Sequence, residues 1–201
     1  NTAYMMDNML QWASNQMKGI GVKADDFNMV LLLNQEFELL QTLARQKEVT
    51  LTHELNKSMM VYADQDMIRL VLRNLINNAI KFTPAGGEVV ISARMDQEAE
   101  TAEVTVRDNG TGIPLENQHR IFSNIYYSTA GTQNEKGCGL GLHLSKDFIE
   151  RNHGRIWFHS KPGSGSSFSF TIPLSEDPEN NPRGYTVVVQ DHPGSLSILR
   201  R

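Results

Sequence analysis

The chain has 201 residues, with 39% hydrophobic residues, 21% charged residues and a formal net charge of −4 at pH 7. This length suits one domain with appendages, and the negative charge gives no electrostatic basis for binding nucleic acid. The single cysteine excludes an internal disulfide and fits a reducing cytosol, and we find no apolar run of membrane-spanning length and no signal peptide.

The first part of the chain alternates between helical and strand patterns. Apolar residues recur at helical spacing over residues 4–20 and 27–46, which predicts two amphipathic helices. Two short strands are predicted next, near residues 49–53 and 59–62.

A third helix is predicted from Asp64 to Phe82, because this segment has no glycine or proline and a helical apolar pattern. Asp64 can cap its start, and Pro84 prevents its continuation. Asn74, Asn78 and Lys81 fall on one narrow stripe at the edge of the apolar face.

This polar stripe can be a solvated surface or a binding site. A stripe chosen for solubility would more naturally use Glu, Lys or Gln, since asparagine costs roughly half a kcal/mol relative to alanine in a helix. Mg²⁺ accepts one or two protein oxygens while phosphates and waters complete its octahedron, and lysine supplies a charge to phosphates. The stripe therefore favours a metal–phosphate site.

Two predicted strands, residues 87–94 and 103–107, lead into a glycine-containing segment, DNGTGIP at residues 108–114. Glycine permits positive φ and a close approach of the backbone to a ligand. A buried Asp108 carboxylate can accept a hydrogen bond from the exocyclic amine of adenine. Asp-Asn-Gly alone would fit a hairpin turn. The residues after Pro114 predict a short helix instead of a return strand, which argues against the hairpin.

A long, small-residue loop at residues 122–136 precedes a second glycine-rich segment, GCGLGL at residues 137–142. Loops of this length in compact domains are usually functional. The glycine-rich segment opens a helix predicted to reach about Asn152, and a helix N-terminus suits phosphate. No Gly-Lys-Ser/Thr follows, which excludes a P-loop, and no hydrophobic strand precedes it, so a Rossmann loop fits poorly. A closing hairpin is predicted from residues 154–158 and 166–172.

Three segments in this order, NLINNAIKF (residues 74–82), DNGTGIP and GCGLGL, resemble the N box and two glycine boxes of sensor histidine kinases. The resemblance covers about residues 24–174 and extends to the superfamily that also holds gyrase, MutL and a heat-shock chaperone. It implies an α/β (α+β) two-layer sandwich, with a mixed, mostly antiparallel β-sheet packed on α-helices. It also identifies residues 122–136 with the lid over the ATP phosphates.

The resemblance implies a role for individual residues in binding ATP and Mg²⁺. Asn78 would ligate Mg²⁺ with Asn74 in support, Lys81 and Phe82 would flank the phosphates and nucleoside, and Asp108 would read adenine. The further nucleotide contacts that it implies are Gly110, Gly112, Ile113, Lys136, Gly137, Gly139, Leu140, Gly141, Leu142 and Ser167. For Lys136, a solvated surface lysine is an equally good interpretation.

Asn74 also bears on the type of reaction. Gyrase-like and MutL-like members carry a general-base glutamate at this position, and an asparagine cannot accept a proton at neutral pH. The resemblance thus implies a protein histidine kinase that passes the γ-phosphoryl group to a histidine of a dimerisation domain, for relay to a response-regulator receiver domain. The alternatives are a nucleotide-binding pseudokinase, suggested by Cys138 and Ile125 where the family usually has Thr or Ser and phenylalanine, and, with less support, an ATP hydrolase.

The resemblance implies that the chain is a piece of a longer protein. Residues 1–21 would be the end of a dimerisation helix, residues 22–174 the catalytic domain, and residues 175–201 a linker leading into an extra strand or the start of a receiver-like module. The phosphoacceptor histidine would be missing, since its one lookalike, His53, lies where the family has a strand, so this piece should not autophosphorylate alone. We expect a homodimer anchored in a membrane, with this domain in the cytoplasm.

Overall fold

A computed structural model describes residues 21–55, 58–123, 130–135, 139 and 141–176. The predicted helix at residues 4–20 and the predicted linker and strand after residue 176 lie outside the described residues. Among the helices described, none is long and apolar enough to cross a membrane.

The described elements comprise seven strands and four helices. The strands are β1 (Asp25–Asn28), β2 (Thr50–Leu55), β3 (Met60–Ala63), β4 (Glu88–Asp96), β5 (Thr101–Asp108), β6 (Arg155–Ser160) and β7 (Ser166–Pro173). The helices are α1 (Met29–Gln46), α2 (Gln65–Phe82), α3 (Leu115–Gln118) and α4 (Gly141–Arg151).

Five strands form one mixed sheet in the order β2-β4-β5-β7-β6. The β2–β4 pair is parallel, while the β4–β5, β5–β7 and β6–β7 pairs are antiparallel. β1 and β3 form a separate two-stranded antiparallel sheet. The predicted sandwich with a mixed, mostly antiparallel sheet is confirmed, and so is the closing hairpin.

One face of the large sheet packs on the helices. Side chains on a strand alternate between faces, and the buried set includes Val104 and Val106 of β5 with Phe168 and Phe170 of β7. They join one hydrophobic cluster with α1, α2 and α4, in which Phe148 is fully buried. The opposite face is more polar, and Thr105 and Ser169 hydrogen-bond there across the strands (Oγ1–Oγ 2.8 Å).

Helix α2 has the bounds that the sequence predicts, because both of its ends are set locally. The Asp64 side chain caps its start and accepts from the backbone N–H groups of Asp66 and Met67, both at 3.1 Å. The helix ends at Phe82, directly before Thr83 and Pro84. Its apolar stripe, including Ile68, Val71, Leu72, Leu75 and Ala79, is buried.

The predicted start of α1 is wrong by two residues. Phe27 belongs to β1, where it pairs with Val61 of β3, and the helix begins at Met29. Asn28 is the cap, and its side chain accepts from the Val30 N–H at 3.0 Å. The apolar pattern runs through Phe27 without a break because this strand residue is also buried in the core.

Candidate functional site

The N-box stripe on α2 forms a hydrogen-bonded chain that ends on α4. Asn78 Nδ2 donates to Asn74 Oδ1 at 3.3 Å, and Asn74 Nδ2 donates to Ser145 Oγ at 2.9 Å. Asn74 is only 4% exposed, whereas Asn78 is half-buried. Because the Asn78 amide nitrogen donates to Asn74, its carboxamide oxygen is the atom of this side chain that could ligate a cation.

The start of α4 packs directly against this chain. Ser145 Oγ donates to the Gly141 carbonyl oxygen at 2.9 Å, and a Cβ atom at Gly141 would overlap the Asn74 carboxamide. Gly139 has φ +74°, which glycine adopts without strain. The third box therefore touches the N box, as expected for one shared site. Leu142 is half-buried against the core, and Lys136, Gly137 and Leu140 lie outside the described residues.

Asp108 ends β5 and is 7% exposed. Its Oδ1 accepts from the backbone N–H groups of Gly110 at 2.9 Å and Ser166 at 3.1 Å. Burial raises the pKa of the Asp108 carboxyl above its ordinary value, and the two backbone hydrogen bonds act in the opposite direction. The two N–H groups hold the Asp108 carboxyl group in one orientation. A carboxyl group held in this way could accept a hydrogen bond from the amine of a ligand.

The second box is held between α2 and the β6–β7 turn by close backbone contacts. The Thr111 N–H donates to the Phe82 carbonyl oxygen at 3.1 Å, and a Cβ at Gly110 would overlap the same carbonyl. On the other side, Gly165 has φ +92°, and a Cβ there would overlap the Asp108 carbonyl oxygen. Glycine is thus required at both positions, and the box places Asp108 beside the end of α2.

The rest of the second box is attached to the β6–β7 hairpin. Gly112 has φ +65°, and its backbone lies too close to the Lys161 carbonyl for a side chain. The Ile113 N–H donates to Ser160 Oγ at 2.8 Å, and Gln118 Nε2 donates to the Ile113 carbonyl oxygen at 3.0 Å. Ile113 also packs against the core. These contacts belong to the continuation into α3 that the sequence predicts, not to a hairpin turn.

The structure does not support the predicted role of Ser167. Asp108 lies directly opposite Ser166 in the β5–β7 register, and Arg107 lies opposite Ser167. Since successive side chains alternate between faces, Ser167 faces away from Asp108 and the helices. Ser166 instead donates its backbone N–H to Asp108, so Ser166 is the residue of this strand that lies beside the Asp108 carboxylate. Only the strand register distinguishes the positions of Ser166 and Ser167.

Part of the predicted lid segment, residues 130–135, is attached to the last turn of α2. The Thr132 N–H donates to the Lys81 carbonyl oxygen at 3.1 Å, and Thr132 Oγ1 donates to the Thr83 carbonyl oxygen at 3.2 Å. Lys47 Nζ donates to the Lys81 carbonyl and pairs with Glu135. No sequence pattern predicts a role for Lys47 or Glu135, because the two residues come together only in the fold. Lys81 Nζ lies 4.9 Å from the centre of the Phe82 ring.

The chain is similar to known proteins in both sequence and structure. Residues 63–176 match the family described as "Histidine kinase-, DNA gyrase B-, and HSP90-like ATPase". The adaptive-response sensory kinase SasA of Synechocystis sp. is 34% identical over 171 residues, which is 85% of this chain and 44% of that protein. The sensor histidine kinase WalK of Bacillus subtilis is 36% identical over 127 residues, covering 63% of this chain and 21% of WalK.

Solved structures give the same grouping. The catalytic domain of histidine kinase ThkA matches with a TM-score of 0.66 and 30% identity, over 75% of this chain and 97% of that domain. ThkA in complex with the response regulator protein TrrA matches with a TM-score of 0.70 and 26% identity, over 90% of this chain and 50% of that one. The chain spans less than half the length of SasA or WalK. It belongs to the histidine kinase-, DNA gyrase B- and HSP90-like ATPase family, and its relatives there are sensor histidine kinases.

Proposed function

We propose that this chain is the Mg²⁺-dependent, ATP-binding catalytic domain of a sensor histidine kinase. In the reaction that we propose, the γ-phosphoryl group of ATP passes to a histidine of a dimerisation domain and then to a response-regulator receiver domain. The observation that carries this proposal is the convergence of the three boxes on α2. Asn74 contacts Gly141 and Ser145 of α4, and Phe82 contacts Thr111 of the second box.

The adenine end of the proposed site is Asp108. Two backbone donors hold its Oδ1, so the carboxylate can present its other oxygen to the exocyclic amine of adenine. Guanine has a carbonyl oxygen at the corresponding position. This oxygen is an acceptor like the carboxylate, so the two could not form a hydrogen bond. Asp108 thereby supports selection of ATP over GTP.

The metal and phosphate end of the proposed site is the N-box stripe with the start of α4. The amide nitrogen of the half-buried Asn78 donates to Asn74. The Asn78 carboxamide oxygen would then ligate Mg²⁺, which takes only one or two protein oxygens. When bound, Mg²⁺ neutralises charge on the phosphates. The α4 N-terminus and Lys81 would add positive potential there. Contacts from Lys136, Gly137 and Leu140 remain predictions.

Asn74 supports phosphoryl transfer over ATP hydrolysis. Its carboxamide is neutral, buried and hydrogen-bonded to both Ser145 and Asn78, so it cannot take a proton from an attacking water. Its proposed role is to orient Asn78. The protein-level partners follow by similarity, since ThkA is found in complex with a response regulator protein. A homodimer with a membrane anchor is part of the same proposal.

Calorimetry with ATP, in the presence and absence of Mg²⁺, tests the site. We expect Asn78→Ala to weaken Mg-ATP binding by about tenfold or more, because it removes the proposed metal ligand, and to lessen the difference that Mg²⁺ makes. Arg94→Ala is the control, since Arg94 is exposed on the sheet, where it pairs with Glu103. Equal Mg-ATP affinity of Asn78→Ala and the wild-type chain would refute the metal assignment.

A further inference from the structure

Lys47, the residue that follows α1, is a buried lysine outside the three boxes. It is 5% exposed. Its ammonium group donates to the Lys81 carbonyl oxygen and forms an ion pair with Glu135 Oε1. A buried charge is unfavourable unless it is paired and hydrogen-bonded. These two contacts therefore determine where the Lys47 side chain lies.

Glu135 organises the turn that Lys47 holds. Its Oε2 accepts from the Gln133 N–H at 2.7 Å, and its carbonyl oxygen accepts from the Gly131 N–H at 2.9 Å. Burial opposes ionisation of Glu135, but the hydrogen bond from Lys47, two backbone N–H groups and the Lys47 charge hold its pKa below the ordinary value. The carboxylate is thus the centre of a compact turn, residues 131–135.

The turn and the lysine meet at one point of the proposed nucleotide site. The Lys81 carbonyl oxygen accepts from both Lys47 Nζ and the Thr132 N–H. The next carbonyl, that of Phe82, accepts from Thr111 of the second box. Carbonyls at a helix C-terminus carry the negative end of the helix dipole, so an ammonium group is favourable there. The 131–135 turn and the second box are thereby attached to adjacent residues of α2, Lys81 and Phe82.

We propose that Lys47 is a positioning residue for nucleotide binding. Its ion pair with Glu135 fixes the 131–135 turn on the last turn of α2, and this contact holds Lys81 and Phe82 in the geometry that binds the nucleotide. Lys47 acts through these residues and does not contact the nucleotide. The inference rests on the proposed function and adds a residue to it.

The test compares the Lys47→Met, Glu135→Gln and double variants of the 201-residue chain. Binding of ADP with Mg²⁺ is measured by calorimetry, and thermal unfolding is measured without nucleotide. We expect each single variant to weaken ADP binding by roughly threefold to thirtyfold. The double variant should have an ADP affinity no lower than that of the single variant that binds ADP more weakly, because both changes break the same ion pair. Arg45→Met is the matched control, since Arg45 hydrogen-bonds Gln41 on the exposed surface of α1.

The outcomes separate positioning from general stabilisation. An unfolding temperature that falls while the ADP affinity stays at the wild-type value would overturn the proposal. Lys47→Arg should retain more affinity than Lys47→Met, and equal losses in these two variants would also overturn it. If Lys47→Met does not fold, Glu135→Gln decides the matter, because it keeps the size of the side chain and removes its charge. Failure of the wild-type chain to bind ADP would instead contradict the proposed function.

Discussion

Asp108, the proposed adenine-binding residue, lowers the stability of the folded protein when it is ionised. Its folded-state pKa lies above the unfolded value of 3.8 because burial disfavours the charged form. The ionised carboxylate therefore destabilises the fold at neutral pH. This cost shrinks as the pH falls below the raised pKa and is gone below 3.8, where the carboxyl group is also protonated in the unfolded chain. The two backbone donors reduce the cost but do not remove it.

Asp108→Asn should separate the two effects. The amide oxygen can still accept from Gly110 and Ser166, so we expect the unfolding temperature at pH 7 to stay the same or rise. ATP binding should weaken by about tenfold to a hundredfold, because the group facing the adenine amine becomes a donor. Thermal unfolding and calorimetry on the same samples measure both quantities.

The pH dependence provides the control for this substitution. Wild-type ATP affinity should decline as the pH falls through the raised pKa of Asp108, and the Asn variant should lack this part of the dependence. An Asn variant that binds ATP as well as the wild type would contradict the assignment of Asp108 to adenine.

At the scale of elements, α2 connects the parts of the site. Asn74 in the middle of α2 contacts α4. The carbonyl oxygens at the C-terminus of α2 accept hydrogen bonds from the second box and the 131–135 turn. The Asn74–Gly141 contact leaves no space for a side chain on α4. This close approach explains why the third box has glycine at a helical position where alanine has the better propensity.

Gly141→Ala tests that contact. The helix propensity of alanine would stabilise α4 by about 1 kcal/mol, but the new Cβ would displace the Asn74 carboxamide, and overpacking costs about 1–3 kcal/mol. We expect a net loss of stability in urea denaturation, together with weaker Mg-ATP binding. Gly21→Ala is the control, since nothing lies within 4 Å of a Cβ there. A Gly141→Ala variant more stable than the wild type would contradict the packing.

Local signals allowed the sequence to predict α2 almost to the residue, through its cap at Asp64 and its stop at Pro84. Predictions that depend on pairing between distant strands were less accurate. The helical pattern extends through Phe27 because its strand partner Val61 lies 34 residues away in the chain. The pattern also does not show which face Ser167 occupies, because that depends on the β5–β7 register. The Lys47–Glu135 pair spans 88 residues, and no local pattern points to it.

At the scale of the whole molecule, the described residues form one sandwich whose sheet and helices share a single core. The three boxes lie far apart in sequence, yet they meet at α2 because this helix packs against both β5 and α4. The proposed catalysis requires a histidine on another domain, so we expect the site to donate a phosphoryl group to that histidine and not to water.

The most direct test is transfer of labelled phosphate from [γ-³²P]ATP to a dimerisation domain carrying the phosphoacceptor histidine, supplied in trans. We predict acid-labile, base-stable labelling of that domain, loss of labelling with Asn78→Ala or Asp108→Asn, and little release of free phosphate by the 201-residue chain alone. ATP binding without any labelling of the histidine would identify a pseudokinase, and steady ATP turnover by the chain alone would identify a hydrolase. Either result would contradict the proposal.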